Sequence, residues 1–174
     1  MAKFVWHAIP TLETPRLILR AMVDSDADAL LKIYGDPEVV RFAADPIFTD
    51  QSYIRKMLAD VSRRFKIRDA IEWGIVLRQS ATVVGTCGLH SFGETRASAE
   101  IGCMLAKRHW GNGLMHEALQ SLIQLAACEL QLSSLFADID LLNVRSARLF
   151  ARLGFHRCGA TAYQLMLSQS GSIP

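Results

Sequence analysis

The stretch MLAKRHWGNGLM, residues 104–115, decides the fold because it joins the end of a predicted strand to a helix start through two glycines. A glycine has no Cβ, so the backbone amides beside it can turn towards a ligand. The first turn of a helix adds N–H donors and a partial positive charge, which together suit a phosphate or pyrophosphate. Such a joint can also be only a turn, and it matches neither the G-x-G-x-x-G pattern nor the P-loop.

Hydrophobic periodicity on both sides of this stretch predicts alternating strands and helices in the order β-α-α-β-β-β-α-β-α-β. The predicted strands cover residues 16–20, 70–78, 82–90, 97–105, 135–140 and 162–167. The predicted helices are one capped by Asp24 or Ser25, one capped by Asp50, and those at 113–130 and 144–153. This order predicts a mixed sheet with helices against it, of the α/β or α+β class.

A second group of polar residues lies in DLLNVRSARLFARLGF, residues 140–155. Asn143 occupies the N-cap position of the predicted helix, and Gly154 ends that helix. By local chemistry Asn143 is a capping residue, and the alternative is that its amide points across the sheet. Ser146 and Phe150 follow at intervals of about one turn and therefore share a helix face.

Together these patterns resemble the GNAT N-acetyltransferases, and most closely the Rim-type ribosomal-protein N-terminal acetyltransferases. The resemblance is carried by T-P-R-L-I-L-R from Thr14, E-I-G from Glu100, W-G-N-G-L from Trp110 and N-x-x-S-x-x-x-F-x-x-L-G-F from Asn143. It spans residues 11–168, and the predicted element order is also that of the family. It implies an acyl-CoA N-acyltransferase fold, with a mostly antiparallel central sheet of about six to seven strands and helices on both faces.

The resemblance implies acetyl-CoA as the acetyl donor and no metal. The backbone that pairs with the pantetheine arm maps to Met104, Leu105 and Ala106, and Asn143 contacts the cofactor arm. The family's pyrophosphate loop, (Q/R)-x-x-G-x-(G/A), maps onto Trp110, Gly111, Asn112, Gly113, Leu114 and Met115. Met115 stands where the family usually has Gly or Ala. A second register, starting at Arg108, also fits the letters but shifts the helix start.

The implied reaction is acetyl transfer to a primary amine, which must be neutral to attack, and an α-amino group has a reference pKa of about 8. Glu100 matches the family's base, and its alternative role is that of a surface or ion-paired carboxylate. Phe150 replaces the general-acid Tyr of other branches, and Ser146 is the proposed substitute unless it only bonds backbone. His90 and His109 are expected to be structural or exposed.

Three functions follow from this reading. The resemblance favours a protein N-terminal amine as the acceptor. Polyamine, amino-acid and antibiotic amines are alternatives, because one fold hosts many functions. A non-catalytic acyl-CoA-binding module is the third, since Phe150 and Met115 depart from the family pattern. No cysteine falls in the active-site motif, so an enzyme of this kind is expected to use direct attack in a ternary complex, without an acetyl-enzyme.

Composition limits the partners. The 174 residues carry 19 Lys and Arg against 17 Asp and Glu, a formal charge of +2, which argues against nucleic acid or an anionic membrane as the main partner.

The length predicts one domain over residues 1–174. No membrane span is expected, and Met1–Pro10 lacks the apolar stretch of a signal peptide. The four cysteines form no C-x-x-C pair, so a cytoplasmic protein without a metal site is expected, as a monomer or homodimer.

Overall fold

The structure is a computed structural model that describes residues 7–43 and 46–168. Most of the N-terminal stretch that is expected to lack a signal peptide lies outside these residues. The strands are β1 (Leu12–Glu13), β2 (Leu17–Arg20), β3 (Ile71–Leu77), β4 (Thr82–His90), β5 (Ser98–Leu105), β6 (Ser134–Asp138), β7 (His156–Arg157) and β8 (Ala162–Met166). The α-helices are α1 (Ala27–Tyr34), α2 (Pro37–Val40), α3 (Gln51–Lys66), α4 (Leu114–Cys128) and α5 (Val144–Arg152).

Within the described residues, eight strands form one sheet in the order β1-β2-β3-β4-β5-β6-β8-β7. Every neighbouring pair is antiparallel except β5 and β6, which run parallel. The predicted mixed, mostly antiparallel sheet is therefore confirmed. Its strand count exceeds the expected six to seven because β1 and β7 have two residues each. Two residues are too few to show the alternation from which a strand is recognised.

Helices cover both faces of the sheet, as predicted. On one face, Leu119 and Leu122 of α4 and Phe150 of α5 belong to the same buried cluster as Leu19 and Trp73 of the sheet. The other face carries α1 and α3, whose buried side chains pack against those of β3 and β4; this second cluster contains Leu30, Ile33, Tyr34, Ile54, Val76 and Val83. The two clusters place β3, β4 and β5 in the middle of the molecule.

The helix starts show which local predictions hold. Asp50 caps α3 as predicted, accepting the Ser52 amide at 2.7 Å. The predicted caps Asp24 and Ser25 are wrong, because a 3₁₀ turn over Asp24–Asp26 precedes α1. A contact with the preceding strand explains the difference: Asp26 accepts two hydrogen bonds from the guanidinium of Arg20, at the end of β2, at 2.7 and 2.8 Å.

Membrane insertion through a helix finds no support in the fold. Among the helices of residues 7–43 and 46–168, none combines the length and the apolar character that a membrane span requires. The most apolar helix, α4, has 15 residues and is interrupted by His116, Glu117 and Gln120.

The Arg20–Asp26 pair predicts an acid-sensitive contribution to stability. Burial alone would raise the pKa of Asp26, but hydrogen bonds from Arg20 and from the Val23 amide outweigh it and lower that pKa. Asp26→Asn should therefore lower the free energy of unfolding at pH 7 by about 1–3 kcal/mol.

Urea unfolding over a range of pH tests this prediction. The pair stabilises the protein above the unfolded Asp pKa of about 3.9, and the difference between wild type and Asp26→Asn should vanish as the pH falls through the folded value. Asp60→Asn is the matched control, since Asp60 pairs with Arg63 on the exposed surface of α3. Equal losses in the two variants would contradict the prediction.

Candidate active site

The site is built on an open strand edge. β5 and β6 lie in register for three residue pairs only, ending at Glu100–Phe136. Among the described residues, β5 then continues to Leu105 with β4 as its sole strand partner. The Ala106 amide donates to the Val84 carbonyl at 2.8 Å. In an antiparallel pair, successive residues alternately point their N–H and C=O groups towards the partner strand and away from it. The N–H and C=O groups of Cys103 and Leu105 therefore point away from β4. Backbone groups of β5 therefore face the gap between the two strands.

The glycine loop continues from this edge. A 3₁₀ turn over Lys107–His109 ends at Trp110, whose Nε1 donates to the Leu105 carbonyl at 2.7 Å. Gly111 and Gly113 then adopt left-handed conformations with φ of 78° and 73°, which glycine adopts without strain. A Cβ placed on Gly111 would meet no atom within 4 Å, so the space beside the loop is open.

The first turn of α4 presents its amides to the same space. α4 begins at Leu114, Gly113 is its N-cap, and no side chain among the described residues accepts a hydrogen bond from the first-turn amides. This helix start agrees with the loop register that begins at Trp110 rather than at Arg108. Met115 is buried in the main core, so its side chain does not obstruct the loop despite its size. Backbone donors and the helix dipole together suit an anionic group here.

Hydrogen bonds connect the turn between β1 and β2 to the glycine loop and to α4. The Arg16 guanidinium donates to the carbonyl of Asn112 at 2.8 Å and to Glu117 Oε2 at 2.6 Å. The other oxygen of Glu117 accepts from the Arg16 amide at 2.9 Å and from the Thr14 hydroxyl at 2.6 Å. Partial burial would raise the pKa of Glu117, but these hydrogen bonds lower it, so the carboxylate is charged at neutral pH. We call Thr14, Arg16 and Glu117 the loop clamp.

Two further contacts tie the loop to other elements. The guanidinium carbon of Arg145, on α5, lies 3.2 Å from the centroid of the Trp110 ring, a cation–π contact. Lys107 donates to Glu38 of α2 at 2.6 Å. The loop is thus held from three elements that are far apart in the sequence.

Asn143 serves as the N-cap of α5, as its local chemistry predicts. Its Oδ1 accepts the Ser146 amide at 3.1 Å, and within the described residues its Nδ2 has no partner. The cap therefore uses the oxygen and leaves the amide donors available. The Ser146 hydroxyl is partly buried and likewise has no partner within the described residues.

Phe150 is a core residue. Its side chain is 3% exposed, and its ring packs edge-on against that of Phe155 with centroids 5.0 Å apart. A phenyl ring in this position can neither donate nor accept a proton. A general acid on α5 therefore has to come from another residue.

Glu100 lies where the gap opens, since it is the last residue of β5 that pairs with β6. Its side chain is 35% exposed, and one carboxylate oxygen is 3.9 Å from Nδ1 of His90, the residue opposite it on β4. His90, which the sequence predicts to be structural or exposed, lies beside Glu100 because of the β4–β5 register. His109 is on the loop, where partial burial and the Arg108 charge lower its pKa and keep it neutral at pH 7.

Cys103 also lies on the open segment of β5, although no cysteine belongs to the sequence motif. Its side chain packs against the main core, and burial raises its pKa to about 12. Burial also raises the pKa of the Cys87 thiol well above its usual value. Both thiols stay protonated at neutral pH and are poor nucleophiles. Among the described residues, no group of three or more His, Cys, Asp or Glu side chains is placed to hold a metal ion.

Comparison with known proteins gives a consistent result. The sequence model of the acetyltransferase (GNAT) domain matches residues 16–156. The chain is 35% identical over 149 residues to an uncharacterised N-acetyltransferase, p20, of Bacillus licheniformis, a match that covers 86% of this chain and 84% of that protein.

Two solved structures are similar in fold. RimL, a ribosomal L7/L12 alpha-N-protein acetyltransferase in complex with coenzyme A, has a TM-score of 0.81 at 20% identity, over 93% of this chain and 99% of that one. The microcin C7 self-immunity acetyltransferase MccE, in complex with acetyl-CoA and AMP, has a TM-score of 0.79 at 16% identity, over 88% and 94% of the two chains.

The loop clamp predicts a specific effect on ligand binding. Arg16→Ala removes the hydrogen bond to the Asn112 carbonyl, so the loop has to be ordered by the ligand itself, and coenzyme A should bind about tenfold more weakly. The melting temperature should change little, because the Glu117 carboxylate keeps its hydrogen bonds from the Thr14 hydroxyl and from the backbone amide of residue 16. Isothermal titration measures the dissociation constant. Arg63→Ala, which removes an exposed pair with Asp60, is the control, and equal dissociation constants for both variants would contradict the prediction.

Proposed function

The chain belongs to the GNAT acetyltransferase family and is an acyltransferase, and from this premise we propose that it transfers the acetyl group of acetyl-CoA to a primary amine by direct attack in a ternary complex. One observation carries the proposal: the open edge of β5 leads through the glycine loop into a helix start that no side chain caps. An extended amide-containing arm that ends in a pyrophosphate matches both halves of this surface.

The residues present fit acetyl-CoA. The backbone of Cys103 and Leu105 faces the gap and would pair with the amides of the pantetheine arm. Met104 and Ala106 are the other residues expected to pair with the pantetheine arm. The backbone of Met104 and the amide of Ala106 point towards β4 and not towards the gap. The pyrophosphate would lie against the amides of the loop and of the first turn of α4, residues 111–115. The Nδ2 donors of Asn143 would reach the cofactor arm. Acetyl-CoA supplies a thioester carbon open to attack and a thiolate as leaving group.

The acceptor is proposed to be a protein N-terminal amine. Support comes from the resemblance to the Rim-type branch and from RimL, whose name describes an alpha-N-protein acetyltransferase. Glu100 lies at the opening of the gap, and its carboxylate favours a cationic amine there. A small-molecule amine is the alternative, for which MccE, a self-immunity acetyltransferase, is the structural precedent.

Glu100 is proposed as the base. Its carboxylate draws a proton from the acceptor, directly or through a bridging group, so that a neutral nitrogen attacks. Two observations support this role: the Glu100 side chain is 35% exposed, and Glu100 lies where β5 and β6 separate. Ser146 is proposed as the proton donor to the departing thiolate, because its hydroxyl has no partner within the described residues and Phe150 cannot donate.

An assay of coenzyme A release tests the proposed function. Purified protein is given acetyl-CoA and a panel of amines: peptides with N-terminal Ala or Ser, spermidine, and free amino acids. Thiol release above the hydrolytic background is expected with a peptide. In Glu100→Gln, kcat should fall by about 10²-fold while the acetyl-CoA dissociation constant stays unchanged.

Glu94→Gln, in an exposed turn before β5, is the matched control and should retain full activity. Tight binding of acetyl-CoA without turnover on any amine would support the non-catalytic acyl-CoA-binding module instead. Absence of acetyl-CoA binding by calorimetry would refute the proposal altogether.

Direct transfer makes a separate prediction about the cysteines. Iodoacetamide at pH 7.5 should label the exposed Cys128 and Cys158 but spare Cys87 and Cys103, whose burial keeps them protonated. Mass spectrometry counts the labels, and the labelled protein should keep its transfer activity. Cys103→Ser should also remain active. Recovery of protein acetylated on a cysteine after mixing with acetyl-CoA alone would contradict direct transfer.

We also propose that the chain is one domain, acts in the cytoplasm and is a monomer or homodimer. All four cysteines are free thiols in the structure, which suits a reducing compartment. The formal charge of +2 supports a small anionic substrate and a peptide rather than nucleic acid as partners.

A further inference from the structure

Two glycines lie opposite each other on β4 and β5, beside the gap. Gly88 and Gly102 are direct register partners, and they share the sheet face of Glu72, His90 and Glu100. A Cβ on Gly88 would lie 2.7 Å from Glu72 Cγ, and a Cβ on Gly102 would lie 3.3 Å from His90 Nε2. The absence of these two side chains leaves room for the Glu72 side chain beside Gly88 and for the His90 ring beside Gly102.

The His90 ring has a defined orientation. Nδ1 lies 3.0 Å from the Ser91 hydroxyl and 3.9 Å from Glu100 Oε2, while Nε2 is on the Gly102 side. A carboxylate near Nδ1 favours the tautomer that carries its proton there, which leaves the Nε2 lone pair available. Ser91 has a φ of 49°, in the left-handed region, so the backbone that places its hydroxyl beside Nδ1 is strained.

The position of Nε2 relative to the gap is informative. Gly102 lies two residues beyond Glu100 along β5, within the segment that has no partner on β6. Nε2 therefore lies beside the part of β5 that is proposed to bind acetyl-CoA, two residues beyond Glu100. The His90 side chain is 28% exposed, which leaves it accessible to a substrate.

We propose that His90 is a catalytic residue, the group through which Glu100 acts: its Nε2 accepts the proton of the acceptor ammonium. The inference rests on the proposed function and deepens it. The ammonium N–H bond breaks and Nε2 gains that proton. Attack forms the nitrogen–carbon bond, and the carbon–sulfur bond breaks as the nitrogen releases its second proton. That proton passes through the Ser146 hydroxyl to the departing thiolate. Glu100 stabilises the resulting imidazolium across 3.9 Å.

Other charged groups on this face act on the pair from a neighbouring strand. Glu72 of β3 covers the adjacent Gly88, and Arg64 of α3 lies 3.9 Å from the Glu72 carboxylate. Glu72 is thus partly neutralised by Arg64. Glu100, which is opposite His90 in the ladder, is the carboxylate that the structure places against the imidazole.

Kinetics of variants with acetyl-CoA and the best peptide of the panel test the inference. His90→Gln should lower kcat by about 10²-fold, with an unchanged acetyl-CoA dissociation constant. Glu100→Gln should have a similar effect, and the double variant should be no worse than the more severe single one, because residues that act as a unit are not additive. His156→Gln, an exposed histidine on β7, is the control and should retain wild-type kcat.

Chemical rescue separates proton transfer from a structural role. Imidazole added to His90→Ala should restore part of the lost kcat, and it should not restore Glu100→Gln. Gly102→Ala is a second route, since its Cβ displaces the ring and should lower kcat with His90 still present. Wild-type kcat in His90→Gln, or a His90→Ala variant that folds but is not rescued, would overturn the inference. A wild-type protein that releases no coenzyme A with any amine would instead overturn the proposed function.

Discussion

The site depends on the separation of β5 and β6 after three residue pairs. A strand edge inside a sheet normally satisfies its N–H and C=O groups with a neighbour, and an unpaired edge needs another partner. Here β6 pairs with β8 along its whole length, while β5 continues alone on one side to Leu105. The Trp110 indole satisfies the Leu105 carbonyl, and the rest of the edge is left for an extended ligand.

Order in the glycine loop comes from tertiary contacts. Two left-handed glycines make the loop conformation accessible, but glycine also loses the most conformational entropy on folding. The loop clamp, the Arg145–Trp110 contact and the Lys107–Glu38 pair offset this cost from three directions. The basic side chains of the loop region are largely paired in this way. An anion that binds at the loop would therefore be recognised mainly by backbone amides and the α4 dipole, and would not require a strongly basic chain.

The proposed proton chemistry lies at the other end of the open edge of β5, where Glu100 is the last residue paired with β6. Glu100 can be proposed from the sequence because it matches the base that the family resemblance implies. His90 cannot, because its relation to Glu100 depends on the β4–β5 register. The sequence alone suggests that the large side chain of Met115 could obstruct the glycine loop. The orientation of α4 shows that this side chain is buried in the core. Cys103 acquires its raised pKa from burial that no local pattern reveals.

The sequence by itself determined the element order, the mixed sheet, the loop with its helix start, and Asn143 as a cap. These features arise from hydrophobic periodicity and turn chemistry, which act over a few residues. Only the tertiary structure decided the two-residue strands β1 and β7, the Arg16–Glu117 contact across 101 positions, and the His90–Glu100 pair. Such contacts depend on strand register and on chain segments meeting at long range, and a single sequence carries no local signal for either.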